Sequence, residues 1–279
     1  MNIKYLLTFL VFCFLAGTAN SQHQCALENP DGEAIPYAHV YLPSFKTGTM
    51  SDEEGLFSLP LEGKSDSDSI IFSCLNYENL KLSVGEIKGR AKQGCKVVLS
   101  PSDYDLKSVE IEGKSVGFRN KLKGVKKMGK FNRSGYNFSG RGSERGILIG
   151  NDKRCRIDEI KFWVNNISGI DSFLVEVNLY QYKNGEVSEK IQKERLFVTV
   201  QKRDKDSAVS VMLKDQLLYA EGSFVVSTTM LTDDTKAITM LESSQKDKFT
   251  GLRHLTDGRW VRTGDCPSIG VSVSYPLEN

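Results

Sequence analysis

Apolar side chains recur at every second position through most of this chain, and that spacing limits its fold more than any other feature. Ile160, Phe162 and Val164 alternate with polar or exposed-type neighbours, as do Phe173, Val175, Val177 and Leu179. Val209-Val211-Leu213 and Val271-Val273-Tyr275 repeat the pattern, and Phe197 or Val198 through Val200, Phe224-Val226 and Ile238-Met240 extend it. A period of two lines one face of an extended strand, whereas a surface helix needs apolar residues three and four apart. No long stretch shows that helical spacing. Asn184-Gly185 sits between two such runs and is the strongest short hairpin signal in the chain.

The first half follows the same rule. Ile35, Tyr37, His39 and Tyr41 alternate with Ala38, Val40 and Leu42, after a turn at Pro30-Asp31-Gly32. Phe57, Leu59 and Leu61 share a face; so do Ile70 and Phe72, then Leu80, Leu82 and Val84, then Val97 and Leu99, then Val109 and Ile111. Short strands at near-regular spacing, divided by Gly, Pro, Asn and Asp, predict an all-β protein of layered sheets. The later strands, eight or so, suit a jelly-roll-like double sheet.

The first residues carry a different signal. Lys4 precedes an apolar run from Tyr5 to Ala16, broken only by Thr8, and the small residues Ala19 and Ser21 follow. A run of that length reads as a secretory signal peptide over residues 1–21, cut after Ala19 or Ser21, because a spanning helix wants about 20 apolar residues. No later stretch is apolar enough to cross a bilayer as a helix. The expected organisation is a β-sandwich over 22–112, a basic linker over 113–134 and a second β-sandwich over 135–279. The linker reading rests on Lys114, Arg119, Lys121, Lys123, Lys126, Lys127, Lys130 and Arg133, with no acid among them.

The formal charge of +2 gives no global field that would recruit nucleic acid. Removal of the leader takes Cys13 and leaves Cys25, Cys74, Cys95, Cys155 and Cys266, none in a Cys-x-x-Cys pair. A zinc or redox motif is therefore unsupported. Cys155 and Cys266 lie near opposite ends of the second half, where first and last strands often meet, and form the candidate bridge.

Several segments together resemble a known family. "DGEAIPYAHVYL", "GTMSDEEGLFSL", "DSIIFSCLNYENLKLSV", "VVLSP" and "DLKSVEIEG" are similar, in order and spacing, to the carboxypeptidase-regulatory-like domain of bacterial envelope proteins, over residues 24–112. Ser51 replaces the usual Thr, and Asn76 stands where a Gly is usual before Tyr77. The resemblance implies a transthyretin-like (prealbumin-like) seven-stranded sandwich with no catalytic activity, in the periplasm, at the outer surface or secreted. The remainder resembles a second β-sandwich found beside that domain in exported proteins.

Only His23, His39 and His254 exist, none with Glu three positions on, and there is no Gly-x-Ser-x-Gly. No catalytic residue, metal or cofactor is expected. In "SDEEG", Asp52 suits a turn that its carboxylate caps, with Gly55 at positive φ. One local cluster looks like a ligand site: His254, Asp257, Arg259 and Trp260 in "RHLTDGRW". The competing reading is a hairpin turned at Asp257-Gly258 with Trp260 packed inward. The expected function is an exported, non-catalytic binding or assembly module of the bacterial cell envelope, its partner an envelope protein or glycan. The alternative is carbohydrate binding by the second sandwich, with Trp163, Tyr180, Tyr182 and Trp260 as stacking faces.

Overall fold

The computed structural model describes residues 24–91, 94–102, 117–125, 135–138, 140–167, 169–204, 207–233, 238–241, 249–255 and 258–277. The leader, Val109, Ile111, most of 113–134 and Asp257 lie outside the described residues. No described helix is long and apolar enough to cross a membrane.

The first unit comprises β1 (Gln24–Glu28), β2 (His39–Leu42), β3 (Thr47–Met50), β4 (Leu56–Ser58), β5 (Ser69–Ser73), β6 (Leu80–Ser83), helix α1 (Val84–Ala91) and β7 (Lys96–Val98). These build a three-stranded sheet, β4-β1-β7, and a four-stranded sheet, β3-β2-β5-β6. Leu27, Val40, Leu42, Phe57, Ile70, Phe72, Val97 and Leu99 fill the space between them, the alternate residues that the period of two selects. The corner at "SDEEG" is a turn: the Asp52 carboxylate accepts the N–H groups of Glu54 and Leu56, and Gly55 has φ +75°. Asn76, where the family pattern has Gly, adopts φ +71°, a left-handed conformation that Asn tolerates better than most residues.

Helix α1 was not legible as periodicity, since Gly85 and Gly89 dilute it. A different signal marks it. Ser83 and Glu86 form a capping box, with Glu86 Oε2 accepting the Ser83 N–H at 2.7 Å and the Glu86 N–H reaching Ser83 Oγ at 3.2 Å.

The second unit comprises β8 (Phe118–Gly124), β9 (Gly135–Asn137), β10 (Glu144–Ile149), β11 (Arg154–Ile167), β12 (Ser172–Lys183), β13 (Glu186–Lys190), β14 (Leu196–Gln201), β15 (Ala208–Met212), β16 (Tyr219–Glu221), β17 (Phe224–Met230), β18 (Ile238–Leu241), β19 (Thr250–His254), β20 (Trp260–Thr263) and β21 (Ile269–Pro276). One sheet runs β13-β12-β17-β10-β19-β20, with β14 also on β12. The facing sheet runs β8-β21-β11-β18-β9, with β15 and β16 also on β11. Ile147, Ile160, Phe162, Val175, Val177, Phe224, Val226, Val271 and Val273 are buried between the sheets. The β12–β13 hairpin turns at Asn184 and Gly185, both at positive φ, as a two-residue I′ connection requires.

Two expectations change. Phe118–Gly124, inside the stretch read as a linker, pairs along its whole length with β21. Its lysines hid a strand because an edge strand carries charge without loss, and Lys is a common guard against unwanted pairing. The disulfide joins Cys25 to Cys95, where β1 runs beside β7, while Cys155 and Cys266 are buried thiols, not bridged to each other. The strand that carries Cys155, β11, and the one that follows Cys266, β21, do meet, but antiparallel: Arg156 faces Ser274 and Phe162 faces Ile269. Cys155 and Cys266 therefore fall at opposite ends of the pair, roughly 30 Å apart at about 3.3 Å per residue.

Candidate functional site

Strand β12 turns Phe173, Val175, Val177 and Leu179 into the core, so Glu176, Asn178 and Tyr180 must point the other way. The same parity on its neighbours sets out one continuous row of paired residues: Phe197, Glu176, Thr229, Glu144, His254, Trp260. A second row holds Asn178, Ser227, Gly146 and Leu252. An outward polar face would ordinarily be wet. Here Glu144, Glu176, Asn178, Ser227 and Thr229 are all buried, because the first unit lies against this face.

Burial obliges these groups to satisfy one another. Glu144 Oε1 accepts hydrogen bonds from Ser227 Oγ, from Tyr180 Oη at 3.0 Å and from Asn178 Nδ2 at 3.2 Å. Its other oxygen lies 3.6 Å from His254 Nδ1. Burial and the Glu144 carboxylate push the Tyr180 hydroxyl well above its ordinary pKa, so it stays a donor. Asn178 Oδ1 in turn accepts from Lys190 Nζ at 2.7 Å and from Gln192 Nε2 at 3.2 Å.

Arg195 fastens the two units together. Its Nε and one terminal nitrogen grip Glu176 at 2.9 Å each, the fork-on-fork arrangement that suits guanidinium and carboxylate. The same side chain donates to the carbonyl oxygens of Pro36 at 2.6 Å and Tyr37 at 3.0 Å, both in the first unit. Its guanidinium lies 4.8 Å from the Phe197 ring and 5.8 Å from the Tyr37 ring. Burial raises the Glu176 carboxyl, yet Arg195 and Lys190 outweigh it and hold the group below its usual range.

Beside this joint the units enclose a cleft of about 600 Å³, a size within the usual range for small-molecule sites. β2 and β3 contribute His39, Tyr41 and Thr49; β19 contributes Arg253 and His254; Lys46 and Arg141 come from loops. His39 and His254 meet edge to face across the unit boundary, ring centroids 5.8 Å apart. Trp260 tilts onto His254 at 5.1 Å and meets Tyr180 edge-on at 5.3 Å.

His39 should report this geometry through pH. Burial, then the charges of His254, Lys190 and Arg195, push its pKa down to about 3 against the partial help of Glu176. Unfolded, the imidazole would take a proton near its ordinary pKa of about 6.5. From there down to about pH 3 the unfolded chain binds the extra proton, so stability falls as pH falls. The limiting slope is about 1.4 kcal/mol per pH unit, reduced here because the ring is partly exposed to the cleft. Urea midpoints at pH 6.5 and pH 5, above most of the carboxylate range, should differ in the natural chain and converge in His39→Gln; equal slopes in the two would refute the assignment.

The structure brings together part of the cluster that the sequence suggested. His254 and Trp260 are cross-strand partners in the β19–β20 hairpin, and both are half-buried. Arg259 is exposed at the hairpin end, where its carbonyl accepts the Leu255 N–H at 2.7 Å. Trp163 lies on the outer face of the other sheet, near Gly270 and away from Tyr180 and Trp260. Sequence reasoning missed Glu144, Glu176 and Arg195. Charged residues at the outward positions of strands look solvated, and only the covering unit makes them otherwise.

No family model matches the chain, and no curated protein matches it. Among solved structures, a chain of the T13 particle of IBDV has 10% identity and a TM-score of 0.25, covering 92% of this chain and 62% of its own length. A chain of the infectious bursal disease virus Gx strain has 7% identity and a TM-score of 0.18, covering 91% of this chain and 63% of its own. Likenesses that slight carry no weight for fold or function.

Proposed function

We propose that this chain is an exported, non-catalytic binding module of the bacterial cell envelope, with its ligand seated between its two β units. The observation that carries this reading is the cleft itself. Its two walls come from different units, and Arg195, anchored on Glu176, ties them together beside it by donating to the carbonyls of Pro36 and Tyr37. A pocket whose walls are fixed in advance loses less freedom when a ligand enters. The first unit, with strands in sheets of three and four, is in keeping with the carboxypeptidase-regulatory-like, transthyretin-like sandwich. The paired sheets of the second fit the jelly-roll-like reading.

A non-catalytic role is supported by the state of the polar groups. Glu144 Oε1, the Tyr180 hydroxyl and Ser227 Oγ are engaged with one another in a closed network, and Glu144 Oε2 lies behind His254. The alternative, stacking of neutral sugars on aromatic faces, finds less support, because Tyr180, Trp260 and His254 pack on one another.

The test uses the mature chain and a panel of envelope saccharides and small anions in a thermal-shift assay. A ligand should raise the melting temperature, and Thr49→Trp, which fills the cleft from its β3 wall, should abolish that rise. Binding indifferent to Thr49→Trp would move the site elsewhere. Turnover of the ligand, lost on substituting His254, would overturn the non-catalytic reading.

A further inference from the structure

We infer that the cleft between the units takes a small organic polyanion, a molecule presenting two or more carboxylate, sulfate or phosphate groups. This rests on the reading of the cleft as the binding site and specifies its ligand class. The described residues that line the cleft include Lys46, Arg141 and Arg253 together with His39 and His254, and no Asp or Glu. A concave surface lined by one sign of charge concentrates field and favours the opposite sign.

Three acids close to the cleft are already engaged. Glu144 lies behind His254 and is held by Ser227, Tyr180 and Asn178. Glu176 is enclosed by Arg195. Asp233 is paired with Arg141 at one end of its guanidinium. On the same edge of that guanidinium the Arg141 Nε–H is shielded from solvent and has no hydrogen-bond partner. A buried guanidinium donor left without an acceptor is costly, and an oxyanion in the cleft is the kind of group that would relieve it. Three positive side chains drawn from both units, Lys46 from the first and Arg141 and Arg253 from the second, favour a ligand with more than one anionic group.

Isothermal titration of the mature chain at low ionic strength, with digalacturonate, tripolyphosphate and neutral maltose as probes, tests this. At least one of the two anions should bind, and which one distinguishes a carboxylate from a phosphate source. Arg253→Gln should weaken that binding about tenfold, the scale of one charge-assisted hydrogen bond. Lys46→Gln should weaken it by less, and physiological salt should weaken it in the natural chain. Circular dichroism confirms that the variants fold. Neither anion binding at millimolar concentration overturns the inference. So does maltose binding that Thr49→Trp abolishes but Arg253→Gln and salt leave unchanged, and in that case the cleft still stands as the site. Anion binding that survives Thr49→Trp refutes both.

Discussion

Replacing Arg195 with alanine should cost about 3–5 kcal/mol of stability, the range for breaking a buried ion pair by removing one partner. Glu176 would be left with 2% of its side chain exposed and without its bidentate partner. The carbonyls of Pro36 and Tyr37 would lose their donors in the same step. Arg195→Lys should recover only part of the loss, because an ammonium cannot bridge a carboxylate and two carbonyls in one plane. Arg195→Met combined with Glu176→Gln should be milder than the sum of the two single changes, since no charge is stranded. Urea unfolding of the five variants, the two single changes included, decides the matter. A loss below about 1 kcal/mol for Arg195→Ala would mean that the pair behaves like an exposed one.

Opening the Cys25–Cys95 bridge should have an effect of similar size, confined to the first unit. The bonded residues are 70 apart in sequence, and closing a loop of that length in the unfolded chain stabilises the native one by about 4 kcal/mol. The second unit has no such constraint, and its Cys155 and Cys266 sit in its core as thiols. Burial pushes the Cys155 thiol up to about 11, which keeps it in its unreactive protonated form. Calorimetry of Cys25→Ala/Cys95→Ala should therefore show a lower-temperature transition for the first unit separating from one that is little moved. A single transition shifted as a whole would show instead that the interface couples the units through melting.

Alternation made the sheets legible. Phe57, Leu59, Ile70, Phe72, Val175 and Val177 are buried where period two placed them. Local chemistry did as well: Asn184-Gly185 turns a hairpin, and Asp52 with Gly55 turns a corner. What escaped was information that no single segment contains. Phe118–Gly124 needed β21 beside it to be recognised as a strand, and Cys25 needed the parallel placement of β7 to find Cys95. The site was half visible. His254 and Trp260 stand out in a polar hairpin, but His39 reads as an ordinary sheet residue until the other unit sets His254 against it. Arg195 sits in "KERLF" among other charges, and nothing there separates a fastening group from a solvated one.

The row from Glu176 through Thr229 and Glu144 to His254 has a consequence for how such a protein could be assembled and reshuffled. Were the halves parted, the bared surface would present carboxylates, amides and hydroxyls that water can solvate between its few aromatic rings, and less oil than the core of either sandwich. A joint of that kind lets each half tolerate a spell alone before the other has folded, and lets another partner be grafted in the place of either one.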